Sequence, residues 1–523
     1  MTMTYLISSI FLIISYYTVN CLVPRPLKQE MGESLCSVAD LLSIEHDYPS
    51  CYILNEALKV FDKRLLQIHR SPQSNDDGTV SCSIKTLSVV ITSGCDESQN
   101  QLWPSEHMDE SHKISILDGK IDIESNEVWG ALHALQTVTQ LVHRSERGAL
   151  VLHEQTVEDS PQYGHRGFLL DTANHYISVD EMEKFIDVMA IVKMNVLHWH
   201  MTDNTAFPYD SFTYPELSRK GAYDPQKLVY ENGDVQRLLQ FARQRGIRVI
   251  VEFDTPAHTK SWEKGYPGIR TECYNDGGPT GQTGPFNPAN ETTFEFLEAF
   301  FKEVTSVFPE TFIHLGGNDV FPSCWNSNPD ILKFMEENNF GSDFGRLGSY
   351  YFDRLTEVIQ SVQPEGHSIT PIFWDGVYID GYRPTETAVI QVWNGGAWTE
   401  IVKNITSDGY RVIISSCWLF TGRSTPANWI DYYECDGKSF GATEEEQNLI
   451  IGGEAIVYTQ HLDKSNLIMH SWPDGAAVAE RLWSLDPFVN EEFKIRLNEL
   501  RCHLRYLGFK AKPLNGMNSC LTP

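Results

Sequence analysis

The chain has 523 residues, of which 41% are hydrophobic, and a formal net charge of −29. That length holds a barrel with an accessory domain, or two to three smaller units, and the apolar share with its 12 tryptophans supplies a large core. The acid excess excludes a phosphate-backbone-binding surface, which would be basic, so no nucleic-acid partner is expected; it is compatible with work at low pH, where carboxylates approach neutrality.

Residues 5–19 are apolar or small and end at Val19-Asn20-Cys21. This reads as a secretory h-region with a small-residue cleavage site, making residues 1–21 a signal peptide. The run is short for a bilayer span, so no membrane span is expected. Its removal leaves ten of the eleven cysteines, an even number suited to disulfides in an oxidising compartment. Two sequons, at Asn290 and Asn404, fit the same route. The expected destination is the secretory pathway, ending in the lysosome or outside the cell. Close Cys-x-x-Cys or His-x-x-x-His spacing does not occur, so no metal or cofactor is expected.

Residues 22–160 carry a helix candidate at 54–67, strand candidates at 83–92 and 113–116, and a second helix at 128–142. They read as a small α/β accessory domain that braces a larger C-terminal unit. From residue 161 to 523, eight short apolar runs recur: 166–171, 195–200, 248–254, 312–317, 371–376, 388–394, 411–417 and 449–455. Several are continuously apolar, as parallel strands covered by helices require. Amphipathic stretches at 180–194, 235–245 and 292–307 fill gaps between them. Strand and helix signals alternating eight times predict a (β/α)₈ TIM barrel in an α/β protein. Polar and aromatic residues gather at the ends of these runs, among them Asp171, His200, Asp203, Asp254, His258, Asn318, Asp319, Trp374, Asp375, Trp393, Trp418 and Glu454. Singly each has an ordinary explanation as a cap or core residue. Together they converge on the C-terminal mouth, where such barrels carry their sites.

The stretch from His314 to Val320 reads His-Leu-Gly-Gly-Asn-Asp-Val and closely resembles the signature of family 20 glycoside hydrolases, the β-N-acetylhexosaminidases. From about Cys51 to Cys520 the chain looks like animal lysosomal β-hexosaminidase subunits. The segments from His165 to Thr172, from His198 to Asp203 and from Glu252 to His258 match the motifs of the first three barrel strands, with Asn204 for a usual Asp and Ala257 for a usual Gly. The resemblance implies that Arg166 grips sugar hydroxyls, that Asp203 and His258 form a relay to the general acid, and that Trp374 and Trp393 box the sugar. Trp418 lies beside these in the seventh-strand segment. It implies disulfides Cys51–Cys95, Cys273–Cys324 and Cys502–Cys520; the remaining cysteines suggest the hypothesis Cys36–Cys82 and Cys417–Cys435.

Several positions depart from the family pattern. Asn318-Asp319 stands where the family has Asp-Glu, whose Asp steers the substrate's acetamido group and whose Glu protonates the leaving oxygen. Leu419 replaces a Tyr that donates to the acetamido oxygen, Tyr458 replaces a third Trp, and Gln460 replaces a Glu that holds sugar hydroxyls. Loss of one preorganised charge costs roughly 3–4 kcal/mol of transition-state stabilisation. Shortening the acid by one methylene retracts it by roughly 1.5 Å, against a general-acid contribution of about 10²–10⁴. Three readings are open: a β-N-acetylhexosaminidase of reduced or altered activity on N-acetylhexosamine-terminated glycans, a non-catalytic glycan-binding homologue, or a partner of an active paralogue in a homo- or heterodimer.

Overall fold

The computed structural model describes residues 22–69, 79–145, 147–366, 368–421, 427–438, 440–485, 490–514 and 520. The expected signal peptide lies outside them. Among the described residues no helix is long and apolar enough to cross a membrane.

Eight parallel strands close into a barrel: β1 (His165–Asp171), β2 (Val196–Thr202), β3 (Arg248–Thr255), β4 (Phe312–Gly316), β5 (Thr370–Trp374), β6 (Val389–Val392), β7 (Arg411–Ile414) and β8 (Ile450–Val457). Each coincides with one of the eight runs to within a few residues. Side chains alternate along a strand, and here the two faces differ in chemistry. The outward set, including Phe168, Leu170, Trp199, Val251 and Phe253, joins the helices in the largest core cluster. The inward set begins with an apolar floor of Val196, Ile250, Phe312, Ile372, Val389 and Ile413. Further up five of the strands the interior turns polar, at His198, Glu252, His314, Gln391 and Glu454, all buried. The expected amphipathic helices form as Val179–Ile191, Asn232–Arg243 and Glu291–Val307.

Ahead of the barrel, a six-stranded mixed sheet packs against helices Tyr52–His69 and Val128–Leu141 around its own core. Its longest strand, Lys28–Glu45, carried no continuous apolar run to announce it, because it is largely exposed or half-buried and buries only Leu35, Cys36, Val38 and Leu42. Neither did the hairpin of Arg270–Asn275 and Gly278–Phe286, which is rich in Thr, Gly and Pro. The accessory domain closes the barrel's N-terminal end through buried charge. Arg166 reaches Glu110 with both terminal nitrogens, at 2.9 and 2.5 Å, and Lys193 reaches Asp159 at 2.5 Å. Both cations lie over the Trp483 ring, at 4.8 and 4.6 Å.

All five expected cysteine pairs are disulfides: Cys36–Cys82, Cys51–Cys95, Cys273–Cys324, Cys417–Cys435 and Cys502–Cys520. Of the sequon residues, Asn404 is exposed on the helix Trp398–Ser407. Asn290 is half-buried and caps Glu291–Val307 by accepting from the Thr292 N–H.

Candidate active site

The mouth is organised by the turn that leaves β4. Gly316 and Gly317 hold φ of +79° and +87°, a region that L side chains avoid. A Cβ on Gly316 would stand 2.0 Å from Asp254 Oδ1, and one on Gly317 would stand 2.1 Å from Val377 Cγ2. Asp254 Oδ1 then accepts from the N–H groups of Gly317 (2.9 Å) and Asn318 (3.3 Å), so the end of β3 clamps the turn. Asp319 continues it with φ of +51°, a conformation Asp tolerates better than most residues. Asn318 emerges half-buried and Asp319 exposed.

Behind the turn a ladder of imidazoles and carboxylates climbs the barrel interior. His165 meets Glu454 at 2.7 Å, and Glu454 meets His198 Nδ1 at 2.8 Å. His198 Nε2 lies 3.0 Å from Glu252, whose same oxygen meets His200 Nδ1 at 2.6 Å. His200 Nε2 stands 3.7 Å from Asp203, and Asp203 is bonded to His258 Nδ1 at 2.9 Å. His258 Nε2 ends the ladder, 3.9 Å from both Asp254 Oδ2 and Asp319 Oδ2.

Charge is shared along this ladder in a definite order. Burial works against the proton on His198, but Glu454 and Glu252 outweigh it and raise the ring to about 9. Burial likewise opposes a proton on His258, and Asp254 and Asp203 raise it to about 9. Glu252 and Asp203 would be pushed up by burial; the histidines around them hold both below the usual carboxylate range. Asp254 is the exception. Burial raises it to about 7 against the pull of His258, and its Oδ2 has no hydrogen-bond partner. Asp375 is also raised by burial, to about 6, despite accepting from the Asn394 N–H at 3.3 Å.

Two trios among the described residues that come close enough for a metal ion each contain a disulfide-bonded cysteine pair. Inside the barrel a further trio, His198, Glu252 and His314, comes close enough for a single metal ion. Its chemistry argues otherwise. His198 is a cation held between two carboxylates, and His314 Nδ1 accepts from the Gly316 N–H at 3.1 Å, which leaves the proton on Nε2. Neither ring presents a lone pair to a cation.

Above the ladder sits a small apolar wall of Leu169, Trp374 and Ile456, with Trp393, Leu419 and Tyr458 packed against it. Trp374 is locked by a 2.6 Å hydrogen bond from Nε1 to Glu252, and Tyr458 meets the His200 ring edge-on at 5.3 Å. Leu419 is bridged to Ile456, beside the loop that Cys417–Cys435 crosslinks. Asp203, His258, Asn318, Asp319, Trp374, Trp393, Leu419 and Tyr458 are thus brought to one end of the barrel. Gln460 comes two residues after Tyr458, beyond the end of β8, and is exposed.

Two expected site residues lie elsewhere. Arg166 is fully buried at the start of β1, at the opposite end of the barrel, where Glu110 and the Lys193 carbonyl occupy it. It is an outward residue on a strand whose inward set is His165, Gly167, Leu169 and Asp171, so it braces the domain interface and cannot touch a sugar at the mouth. Trp418 is 2% exposed, donates to the Tyr432 carbonyl at 3.1 Å and joins the core between barrel and helices. The residue that does reach the mouth from β1 is Asn174, which carries no motif in the sequence. Its amide bridges Asp171 and Asp203, at 2.9 Å each. The available signal is its position three residues past a strand end. Asp171 anchors that loop by also accepting from Thr459, just beyond β8.

Residues 163–486 match the family described as "Glycosyl hydrolase family 20, catalytic domain", and residues 22–141 match "beta-acetyl hexosaminidase like". Beta-hexosaminidase subunit beta of Felis catus is 38% identical over 475 residues, covering 89% of this chain and 86% of its own length. Beta-hexosaminidase subunit beta of Homo sapiens is 37% identical over 498 residues, covering 94% and 88%. Among solved structures, a Flavobacterium johnsoniae chitobiase aligns with a TM-score of 0.79 at 23% identity, covering 94% of this chain and 73% of that one, a likeness of fold.

Proposed function

The chain belongs to glycosyl hydrolase family 20 and is β-hexosaminidase-like, and within that family we propose that its mouth recognises terminal β-N-acetylhexosamine of GlcNAc or GalNAc type, with hydrolysis weak or absent. The observation that carries this reading is the gap at the end of the ladder. His258 is charged and bonded to Asp203, yet its Nε2 stands 3.9 Å from Asp319 Oδ2, beyond a hydrogen bond. One more methylene would extend the carboxyl by roughly 1.5 Å and could close that gap.

Substrate-assisted hydrolysis would have the acetamido oxygen attack C1, with retention, outside the two-carboxylate scheme. Positive charge then develops on the acetamido group, where Asn318 offers a neutral acceptor in place of an anion. A neutral acceptor orients the acetamido N–H but stabilises that charge less. Leu419 brings a methyl surface to the same wall and no donor. Sugar binding needs less: the flat apolar face of half-buried Trp393, with Tyr458 beside it and the buried Trp374 backing the wall, suits the C–H face of a pyranose.

The disulfides and the exposed sequon residue Asn404 favour passage through the secretory pathway to the lysosome or the exterior. The curated relatives are named as subunits alpha and beta, which favours as a second reading a partner role beside an active paralogue or a second copy. Calorimetry with GlcNAc and its thiazoline analogue, paired with release of aryl from an aryl β-GlcNAc between about pH 4 and 7, tests the proposal. Binding with little turnover is expected. Absence of binding removes the recognition reading, and turnover at the level of an ordinary family member removes the impairment.

A further inference from the structure

At the opposite end from the mouth, a small, partly open recess lies where the accessory helices Tyr52–His69 and Val128–Leu141 meet the barrel. Its walls include Glu56, Arg64, His133, Gln136 and Arg245. Two guanidinium groups there share one carboxylate. Arg245 Nε is bonded to Asp187 at 2.6 Å, while Arg64 Nη2 is 3.6 Å from the same oxygen. Arg64 is 6% exposed, and among the described residues its one hydrogen bond goes to the Gln136 side-chain oxygen Oε1. A guanidinium carries five N–H donors, so Arg64 keeps most of its donors without a protein hydrogen-bond partner, though none of these atoms is fully enclosed.

The surrounding groups register that uncompensated charge. Arg64 is pushed down to about 10, by burial first, with Arg245 adding to the effect and Asp187 opposing it. His503 is pushed down to about 4 by burial and by Arg64, and its Nε2 is buried without a partner. The other carboxylate of the recess, Glu56, is engaged with the exposed Lys59 at 2.9 Å.

We propose that this recess is an anion site, taking a small tetrahedral oxyanion, phosphate or sulfate, between Arg64 and Arg245. The planar guanidinium fork matches such an oxyanion in two parallel hydrogen bonds, and Arg is the residue suited to that geometry when buried. The bound anion ties the accessory domain, through Arg64, to the barrel, through Arg245. Anything that binds only the folded state stabilises it by RT ln(1 + [L]/Kd), so the melting temperature rises with the logarithm of ligand concentration above Kd. The site is separate from the mouth and stands whether or not the sugar-recognition reading does.

Calorimetry of the full chain at constant ionic strength, with sodium phosphate, sulfate and chloride in turn, reads the site directly. Wild type is expected to bind one phosphate or sulfate per chain, with Arg245→Gln weakening this at least tenfold. Glu56→Gln, a near-isosteric change at a half-buried position of the recess wall, is expected to tighten it several-fold by removing a like charge. No binding of either oxyanion by wild type, or equal affinities across all three proteins, overturns the proposal. Chloride binding as tightly as the oxyanions overturns the assignment of ligand class.

Discussion

Inside the barrel, His198 is held between Glu454 and Glu252, and His200 between Glu252 and Asp203. At the rim, where the ladder reaches solvent, Asn318 is half-buried and neutral, and Asp319 is exposed and 3.9 Å from the last imidazole. The two regions answer to different constraints. A buried ion pair that loses one partner strands the other charge, at a cost of about 3–5 kcal/mol, a large part of a domain's stability. The ladder is therefore held by folding whether or not it serves chemistry. An exposed carboxylate carries no such penalty, so the reacting edge can change while the interior behind it stays in place.

The sharpest way to break this comparison is to cut the ladder at its centre. Glu252→Ala leaves His198 and His200 without their shared anion and removes the anchor of Trp374; a loss of about 3–5 kcal/mol in denaturant unfolding is expected. Arg166→Ala should cost about 3 kcal/mol by stranding Glu110 at the domain interface, while GlcNAc affinity stays unchanged. Weakened sugar binding in that variant would restore Arg166 to the mouth. Trp374→Phe keeps an aromatic face but drops the hydrogen bond to Glu252; about 2 kcal/mol of stability and a modest loss of sugar affinity are expected.

The smallest effect is in pH. His198 and His258 have folded values raised from 6.5 to about 9, so the stability they contribute is complete below the unfolded value and is lost as pH rises through about 9. Glu252 and Asp203 are depressed, so their contribution is present above the unfolded carboxylate value and falls away in acid. Asp254 and Asp375, raised to about 7 and about 6, act in the opposite sense to the depressed carboxylates and lose stability as pH rises towards those values, so melting temperature against pH should show a maximum between the two limits and not a plateau. Monotonic gain of stability above about pH 9 would mean the imidazoles are not charged in the fold.

The barrel was legible in the sequence because its strands are buried on both faces and read as apolar runs. The strand Lys28–Glu45 was not, since it buries only Leu35, Cys36, Val38 and Leu42 and is otherwise polar or partly exposed. Within the site, His258, Asp203 and the Asn318-Asp319 pair sit at strand ends and are identifiable by position. Arg166 and Trp418 were misplaced for one reason: proximity to a motif does not tell which side of the strand or turn a residue occupies. Alternation from His165 puts Arg166 outward. The ladder itself is half visible, as His198 and His200 two apart on one strand, but its closing partners Glu252 and Glu454 come from strands far away in sequence.

The comparison of interior and rim turns on whether the two residues at the rim limit catalysis while the ladder behind them remains competent. The direct measurement is kcat/KM on an aryl β-GlcNAc for the wild type beside the double variant Asn318→Asp/Asp319→Glu. Restoring the charge and the reach should raise it by about 10² or more, with unfolding free energy changed by less than about 1 kcal/mol. Equal rates in the two proteins would contradict a rim-limited catalyst and move the block from the rim to the rest of the mouth.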